Sequence, residues 1–538
     1  MPEGLGVPEL LLSIDGVAHR IPFEPGPSLR DILDVTDFRA RSGCRGLGAC
    51  GLCRVRVIAG AAGEITQSER LHLSEAQLAK GVRLACQFSP AHDLEIEILN
   101  PAPPSNWKSP PERMQAHQAH SPGGKWLPPE VRHPCGLAVD LGTTNLCLSL
   151  FDLAGGHWLA DRWGRNPQHN FGADVITRLA AAKESPAAAR QMSELVVAAI
   201  GEALLDIATR EGFDTHRIVN VTVVGNTAML ALLSRHNFEL LLQPEYWTQA
   251  VDCSPLAAGD WIGTWGTNPL AEVEVIAPLA GFVGSDLLAG LVATRFTDGA
   301  APALFIDFGT NSEIALWNGK ELWVTASAGG PAFESSGISC GAPAEAGAVY
   351  RVRLDAAGNP ACAIIGDDRA RGVCGSGLVD LIACLLESGR LSSTGRFAGG
   401  ERGYTFSAGG TELTLSKNDV DLMQRAKAAV GVGILALCGH AGVKLRDLRR
   451  VCVGGAFGRY LDVGNAQAIG LLPPVSPETV ELSGNTALAG CCDVMLSSLA
   501  AERLDDLRRR ARFVNLGRQA DFEQAFLDNL YLQPLRET

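Results

Sequence analysis

The first hundred residues contain short stretches in which apolar and polar residues alternate, a pattern typical of strands with one buried face. One of them turns at Asp15-Gly16, a dipeptide that favours tight hairpins. The strand-like stretches are 9–23 (a hairpin), 53–60 and 93–99, and the stretches with helical spacing are 28–35 and 74–80. This order predicts a small mixed α/β domain over residues 1–100.

Residues 101–133 lose this periodicity and hold eight prolines. Because proline fixes φ and favours extended backbone, the segment predicts a semi-rigid linker. His117 and His120 lie within it, and we interpret them as solvated linker residues rather than metal ligands.

Beyond the linker, the chain repeats its own pattern of apolar strands and small-residue turns. Three segments recur in the same order: 137–156 and 304–320, 219–230 and 449–461, 284–294 and 484–496. An internal repeat of this kind predicts two copies of one α/β unit. We place lobe I at residues 134–295 and lobe II at 296–538.

Composition narrows the class of protein. A chain of 538 residues with 46% hydrophobic and 20% charged residues suits several soluble α/β domains. The formal charge of −13 argues against a nucleic-acid-binding surface. The N-terminus lacks a secretion signal, and the longest uncharged window, 428–443, is short of a bilayer span, so we expect no membrane contact and a cytoplasmic location. The fifteen cysteines are then expected to be mostly reduced.

Four cysteines stand apart from the scattered ones. SGCRGLGACGLCRV (42–55) places Cys44, Cys50 and Cys53 at C-x5-C-x2-C spacing, and Cys86 follows in a distant segment. This is one residue longer in its first gap than the plant-type [2Fe–2S] pattern. Glycines in the loop permit positive φ and leave N–H groups free to donate to sulfur; they are Gly43, Gly46, Gly48 and Gly51. Together with the element order, the loop indicates a β-grasp ferredoxin; structural zinc, which more usually shows two CxxC pairs, and a metal-free loop remain alternatives.

The repeated unit carries a second motif, D-x-G-T. Each copy follows an apolar strand, and its backbone and hydroxyl groups are suited to face phosphate oxygens. Asp140 and Asp307 are candidates to hold Mg²⁺ directly or through water. The candidate phosphate-binding residues are Gly142, Thr143, Thr144 and Asn145 in lobe I, and Gly309, Thr310 and Asn311 in lobe II. One such turn is weak evidence, but two in register predict a polyphosphate clamp.

Other small-residue turns are candidates for the same cleft. Gly454 and Gly455, at the end of a strand, would let a nucleoside lie against the backbone, or they form a plain strand-to-helix turn. Gly375 and Ser376 open a helix that either flanks the nucleoside or has no ligand. Glu334 either positions the attacking water or caps a helix. Three further residues are candidates either to line the cleft or to hold a loop in place, and we favour the second role: Arg165, Asn166 and Asp174.

The two D-x-G-T hairpins and VGGAF (453–457) resemble the acetate and sugar kinase/Hsc70/actin superfamily, which has a ribonuclease H-like fold. The resemblance implies ATP and Mg²⁺ bound between two lobes that open and close. The whole arrangement is similar to a narrower family, the ATP-dependent reductive activators of corrinoid proteins. Stretches that carry this likeness include 164–178, VGNTAM, FVGSDLLAGL, DFGTNSEIAL, GGPAFESSGISCG and GGAFGRYLDVGNAQAIGLLP.

That resemblance implies a one-electron reduction of Co(II) to Co(I) in a corrinoid protein of a methyltransferase or demethylase system, through the [2Fe–2S] cluster. It also implies an upstream electron donor, a reductase or ferredoxin, and by analogy a homodimer. Ser312 departs from the family pattern, which has glycine there. The alternatives are a small-molecule kinase with an accessory redox domain and a nucleotide-gated redox-sensing module. The cysteine loop argues against an activator of a radical dehydratase.

Overall fold

The structure is a computed structural model. It describes residues 8–537 except positions 15–16, 43, 45, 103–104, 110–122, 124–126, 173, 257, 310, 328–330, 336, 367–368 and 520. The Asp15-Gly16 turn, Gly43, His117, His120 and Thr310 therefore lie outside the described residues.

The N-terminal region forms one five-stranded sheet with three short helices. Its elements are β1 (Glu9–Ile14), β2 (Val17–Pro22), α1 (Leu29–Asp34), β3 (Arg54–Ala59), α2 (Gln67–His72), α3 (Glu75–Ala79), β4 (Val82–Leu84) and β5 (Leu94–Ile98). The strand order is β2-β1-β5-β3-β4, with β1 and β2 antiparallel and β1 and β5 parallel. Every strand and helix predicted for this region is present, and the cysteine loop lies between α1 and β3.

The first copy of the repeat follows the linker. Its elements are β6 (Cys135–Leu141), β7 (Asn145–Asp152), β8 (Trp158–Arg165), α4 (Val175–Glu184), α5 (Pro186–Glu211), β9 (Ile218–Gly225), α6 (Thr227–Ser234), α7 (Ala258–Trp265), β10 (Glu272–Val275) and α8 (Ser285–Ala293). The strands form one sheet in the order β10-β9-β6-β7-β8. The long helix α5 packs against this sheet and contributes Met192, Val196, Ile200 and Leu204 to its core.

The second copy is larger. Its elements are β11 (Ala303–Phe308), β12 (Ser312–Trp317), β13 (Leu322–Ser327), β14 (Ala348–Leu354), β15 (Pro360–Ile364), β16 (Gly372–Val373), α9 (Gly375–Glu387), β17 (Gly403–Ala408), β18 (Thr411–Ser416), α10 (Lys417–Ala441), β19 (Arg450–Gly454), α11 (Val463–Ala468), β20 (Val480–Gly484), α12 (Thr486–Leu496), α13 (Ser498–Arg510), β21 (Ala511–Phe513) and α14 (Phe522–Asp528). The main sheet has the order β20-β19-β11-β12-β13-β21.

The two main sheets have the same connectivity, which confirms the predicted duplication. In each, a D-x-G-T hairpin forms the centre (β6–β7 and β11–β12, antiparallel), and a later strand runs parallel to its first member (β9 and β19). Helices α8 and α12 pack against each other between the sheets. Their backbones touch: a Cβ on Gly490 would lie 1.8 Å from the carbonyl oxygen of Ala289.

The linker is partly docked rather than a free spacer. Trp107 is buried in the core of lobe I, and Lys108 exchanges backbone hydrogen bonds with Trp163 of β8. The buried Trp107 side chain holds this part of the linker on lobe I. The proline content of the linker gives no indication of this contact. The domain boundaries given above remain predictions.

Helix α10 is the one helix among the described residues that is long and apolar enough to span a bilayer, and 72% of its most apolar window is buried inside the protein. Its apolar residues Val420, Met423, Val430 and Ile434 belong to the core of lobe II. The packing is that of a core helix.

Candidate functional site

The four predicted cysteines come together as two pairs at the edge of the N-terminal sheet. The thiols of Cys44 and Cys50 are hydrogen-bonded to each other, and those of Cys53 and Cys86 form the second pair. Cys86 reaches the loop because it lies in the turn Ala85–Gln87, which follows β4, the strand beside β3. Two thiol pairs side by side suit a two-iron cluster, in which each iron takes two thiolates.

The surroundings favour thiolates at two of these positions. A hydrogen bond from the Cys53 thiol lowers the pKa of Cys86 to about 6 against the opposing effect of burial, helped by the Gln87 amide, the Gly48 N–H and the Arg30 charge. Burial opposes ionisation of Cys44, but hydrogen bonds from Cys50 and neighbouring backbone N–H groups lower its pKa. Backbone donors aimed at sulfur stabilise negative charge there.

Glycine is required in this loop by close contacts as well as by conformation. Gly48 has φ +75°, and a Cβ there would lie 2.7 Å from the Gln87 amide nitrogen and 2.8 Å from the Ser68 hydroxyl oxygen. Gly51 has φ +63°, and its Cβ would lie 2.8 Å from the His72 side chain. Helix α2 therefore closes one side of the loop. The donor set and the cradle fit a [2Fe–2S] cluster, which supplies single electrons when bound.

The outer side of the loop is apolar. Leu47 is 71% exposed, and Leu71, which neighbours His72 on α2, is 80% exposed. Leu52, between two of the cysteines, is 37% exposed. Large apolar side chains exposed together are typical of surfaces that meet another protein.

The first phosphate hairpin is braced by side chains from the segment that follows β8. Asn166, which is buried, donates from Nδ2 to the carbonyl of Gly142 at 2.8 Å. Arg178 Nη1 donates to the carbonyl of Thr143 at 2.8 Å. Asp174 caps α4 by accepting the Thr177 N–H at 2.9 Å. For Asn166 and Asp174 these contacts match the loop interpretation; Arg165 is exposed at the end of β8.

Four carboxylates converge where the two hairpins face each other. Asp140 is the penultimate residue of β6 and Asp307 the penultimate residue of β11, equivalent positions as the repeat predicts. Glu313 stands directly opposite Asp307 on β12, so both project from the same face of the sheet. Asp286 lies in the first turn of α8. Asn485, the N-cap of α12, donates to Asp140 Oδ2 at 2.9 Å and so joins the two lobes.

Burial weakens the acidity of all four groups, and repulsion by neighbouring carboxylates adds to it for Asp286, Asp307 and Glu313. Burial raises the pKa of Asp140 to about 6, partly offset by the Asn485 hydrogen bond. Burial and the Asp140 charge raise the pKa of Asp286 to about 7, and burial with the charges of Asp286 and Asp140 raises that of Asp307 to about 8. Burial also raises the pKa of Glu313 well above its ordinary value. No three of the described His, Cys, Asp and Glu side chains are placed to hold a metal ion as they stand. A divalent cation bound between these carboxylates would relieve their repulsion.

The other candidate residues lie in the two hairpins and in lobe II. Gly455 has φ +84°, and its Cβ would lie 2.5 Å from the carbonyl oxygen of Phe308 and 2.9 Å from Asp307 Oδ1; a Cβ on Gly454 would lie 2.8 Å from the Thr486 hydroxyl. Thr144 and Asn145 complete the first hairpin, and Gly309 and Asn311 the second. Ser376 is buried and donates to the carbonyl of Tyr350 at 3.0 Å.

Gly375 lets the start of α9 touch the turn Pro331–Glu334, since its Cβ would lie 1.9 Å from the carbonyl oxygen of Phe333. The side chain of Glu334 lies outside the described residues, so its role stays a prediction. The roles assigned to all the candidate nucleotide-binding residues likewise remain predictions.

Sequence reasoning did not select Asp286, Glu313 or Asn485. A signal was present for two of them: GSD and GNT open the helices of the third repeated pair, so polar groups at both helix starts face the same centre. Glu313 lies in the second hairpin, six residues after Asp307, but its register opposite Asp307 is a property of the folded sheet.

Three family models match the chain. A 2Fe-2S iron-sulfur cluster binding domain matches residues 12–91, the RACo middle region matches 135–298, and the C-terminal domain of RACo, the ASKHA domain, matches 301–537. A solved structure titled reductive activator for corrinoid, iron-sulfur protein superposes with a TM-score of 0.68 at 24% identity and covers 98% of this chain and 99% of that one. The superposition confirms the predicted fold class.

Two curated proteins are similar in sequence. The corrinoid activation enzyme RamQ of Eubacterium limosum is 31% identical over 417 residues, which is 73% of this chain and 70% of RamQ. The [Co(II) methylated amine-specific corrinoid protein] reductase of Methanosarcina barkeri is 28% identical over 291 residues, covering 50% of this chain and 52% of that protein. With its iron–sulfur domain joined to the two lobes of an ASKHA ATPase, the chain belongs to the family of reductive activators of corrinoid proteins.

Proposed function

We propose that this chain reductively activates a corrinoid protein: it delivers one electron that converts Co(II) to Co(I), and it hydrolyses ATP to ADP and phosphate in doing so. The observation that carries the proposal is the joining, in one chain, of a two-pair thiolate site to a duplicated cleft lined by four carboxylates. The names of the two curated relatives support a corrinoid partner.

The cleft residues divide the work of nucleotide hydrolysis. Asp140 and Asp307 would hold Mg²⁺ directly or through water, one from each lobe, while the backbone of the two hairpins faces the phosphates. Asn485 links this site to helix α12 through its bond to Asp140. Glu313 is a second candidate, in addition to Glu334, for orienting the attacking water. Its Oε1 has no hydrogen-bond partner among the described residues.

The cleft and the thiolate site are joined through lobe I, so closure of the lobes on ATP would move the N-terminal domain with respect to lobe II. We propose that this movement presents the cluster to the corrinoid protein. The exposed apolar side of the cysteine loop, formed by Leu47, Leu52 and Leu71, supports contact with a redox partner there. The upstream reductase or ferredoxin, the homodimer and the cytoplasmic location remain predictions.

A spectral assay tests the proposal. The purified holoprotein is mixed with a low-potential reductant and a Co(II) corrinoid protein, with and without Mg-ATP, and Co(I) is followed by its absorption. We expect Co(I) only when both Mg-ATP and the intact cysteine loop are present, and Asp307→Asn should abolish Co(I) formation even with Mg-ATP. Equal Co(I) formation without ATP, or none with any corrinoid protein, would contradict the proposal.

The same samples distinguish the kinase alternative. A kinase would form ADP only with a hydroxylated or carboxylated acceptor, whereas the activator needs none. Comparing Glu313→Gln with Glu334→Gln in the ATPase assay then shows which carboxylate serves hydrolysis, because the essential one should lower kcat while leaving the KM for ATP nearly unchanged.

A further inference from the structure

Seven charged side chains meet between the N-terminal domain and lobe I, and we call them the charge junction. All are buried, with 2% to 8% of each side chain exposed. The members are Arg30, Asp34 and Arg39 from the N-terminal domain, and Arg162, Asp206, Arg210 and Glu211 from lobe I.

Ion pairs cross the boundary between the two domains at three points. Arg30 Nη2 donates to both oxygens of Glu211, at 2.7 and 2.8 Å. Arg39 Nη2 donates to Asp206 Oδ1 at 2.9 Å. Arg210, next to Glu211 at the end of α5, pairs with Asp34.

The lobe I members are also tied to each other. Arg162 on β8 donates from Nε to Asp206 at 2.5 Å and from Nη2 to Glu211 at 3.2 Å. Buried ion pairs must recover a large desolvation cost, which they do only in well-fixed geometry. The junction therefore sets how the N-terminal domain sits on lobe I.

The junction contains one more cation than anions: four guanidinium groups face three carboxylates. Asp31, on the more exposed side of α1, also faces Arg30, but more weakly than Asp34 and Glu211 do. A buried excess charge is costly unless an opposite charge lies close by. Asp31 offsets this excess only in part, which favours a further negative group near the junction.

The cysteine loop supplies that group. A Cβ on Gly46 would lie 3.1 Å from Arg30 Nη1 and 3.8 Å from the Cβ of Cys86, so the guanidinium faces the loop at the Cys86 thiolate. Arg30 thus has three partners: its Nε pairs with Asp34 at 3.2 Å, its Nη2 binds the Glu211 carboxylate of lobe I, and its Nη1 faces the thiolate site.

We propose that Arg30 is a positioning residue that raises the reduction potential of the [2Fe–2S] site, and that Glu211 of lobe I limits this effect by neutralising part of its charge. Reduction adds one negative charge to the cluster, and a nearby cation stabilises the reduced form. The two residues should therefore shift the potential in opposite directions. The proposal does not depend on which protein receives the electron.

The test is a redox titration of the full-length holoprotein, followed by absorption and electron paramagnetic resonance. Arg30→Gln should lower the potential, so that the ratio of reduced to oxidised cluster at a fixed potential falls about tenfold, or about 59 mV for one electron. Glu211→Gln should raise this ratio. Arg20→Gln, which removes a cation from an exposed pair with Glu9 on the outer strands β1 and β2, should leave it within about twofold.

Shifts of the same sign in Arg30→Gln and Glu211→Gln, or a shift in neither, would overturn the proposal. If Arg30→Gln does not retain iron, Glu211→Gln decides alone, and Arg30→Lys serves as the charge-conserving variant that should keep a near-native potential. Hydrogen exchange on the apoprotein gives an independent measure: both Arg30→Gln and Glu211→Gln should speed exchange at the end of α5, and Arg20→Gln should not.

Discussion

Replacement of Gly490 by alanine tests whether the contact between α8 and α12 holds the cleft together. The new Cβ would lie 1.8 Å from the oxygen, 2.4 Å from the carbon and 2.8 Å from the Cα of Ala289. Because all three atoms are backbone, no rotamer change relieves the overlap, and the helices must separate. Overpacking of a buried contact typically costs about 1–3 kcal/mol in the free energy of unfolding.

The same separation would disturb the active cleft. Asp286 lies in the first turn of α8 and Asn485 caps α12, so moving the helices apart stretches the 2.9 Å bond between Asn485 and Asp140. We expect Gly490→Ala to lower kcat for ATP hydrolysis as well as stability.

Gly439→Ala is the matched control. Gly439 lies in α10, is exposed, and has no atom within 4 Å of a built Cβ. There the same substitution should raise the free energy of unfolding by about 0.4–1 kcal/mol, since alanine restricts the unfolded chain and suits a helix better. Urea titrations followed by far-ultraviolet circular dichroism, with ATPase rates alongside, measure both variants. If Gly490→Ala were as stable as the native protein, the account of the helix crossing would be wrong.

Three further outcomes follow from the site. Asp140→Ala or Asp307→Ala should abolish ATP hydrolysis and leave the cluster absorption intact; bleaching in these variants would show that the two sites are not separable. Cys86→Ser should lose the visible absorption of the cluster while Mg-ATP still protects the cleft from proteolysis, and loss of both would contradict this. The pKa values of Asp140, Asp286 and Asp307 in the folded protein are about 6, 7 and 8, whereas an ordinary aspartate has a pKa of about 4. Between pH 4 and pH 8 the folded state therefore binds more protons than the unfolded state. The free energy of unfolding of the metal-free protein should fall as pH rises through this interval. Mg²⁺ should then raise the unfolding temperature more at pH 8 than at pH 6, and equal increments would argue against a metal site among these acids.

The sequence was most informative where a local pattern determines structure. Alternation placed β3 and β5 within one residue of their observed ends, and the repeated D-x-G-T turns placed Asp140 and Asp307 at equivalent positions of two sheets. Both features depend on neighbours in the chain, whose spacing carries the signal.

Contacts between distant segments were not predictable in this way. Arg30 and Glu211 are 181 residues apart, and the local pattern of neither helix indicates that the two residues form a pair. Asn485 and Asp140 are 345 residues apart. Trp107 was assigned to the proline-rich linker because nothing in the local pattern shows that it packs on β8. It does so at Gly164, where a Cβ would lie 2.9 Å from the indole ring.

The two halves of the cleft differ in the residue that faces the aspartate of the hairpin. Glu313 stands opposite Asp307, whereas the equivalent place opposite Asp140 is taken by Cys147, a thiol that burial keeps protonated by raising its pKa. A cleft made of two like halves would accept a polyphosphate chain either way round with equal ease. Here a thiol stands where the other half has a carboxyl group, so the two halves of the cleft differ chemically, and we expect an asymmetric ligand such as a nucleoside triphosphate to bind in one direction.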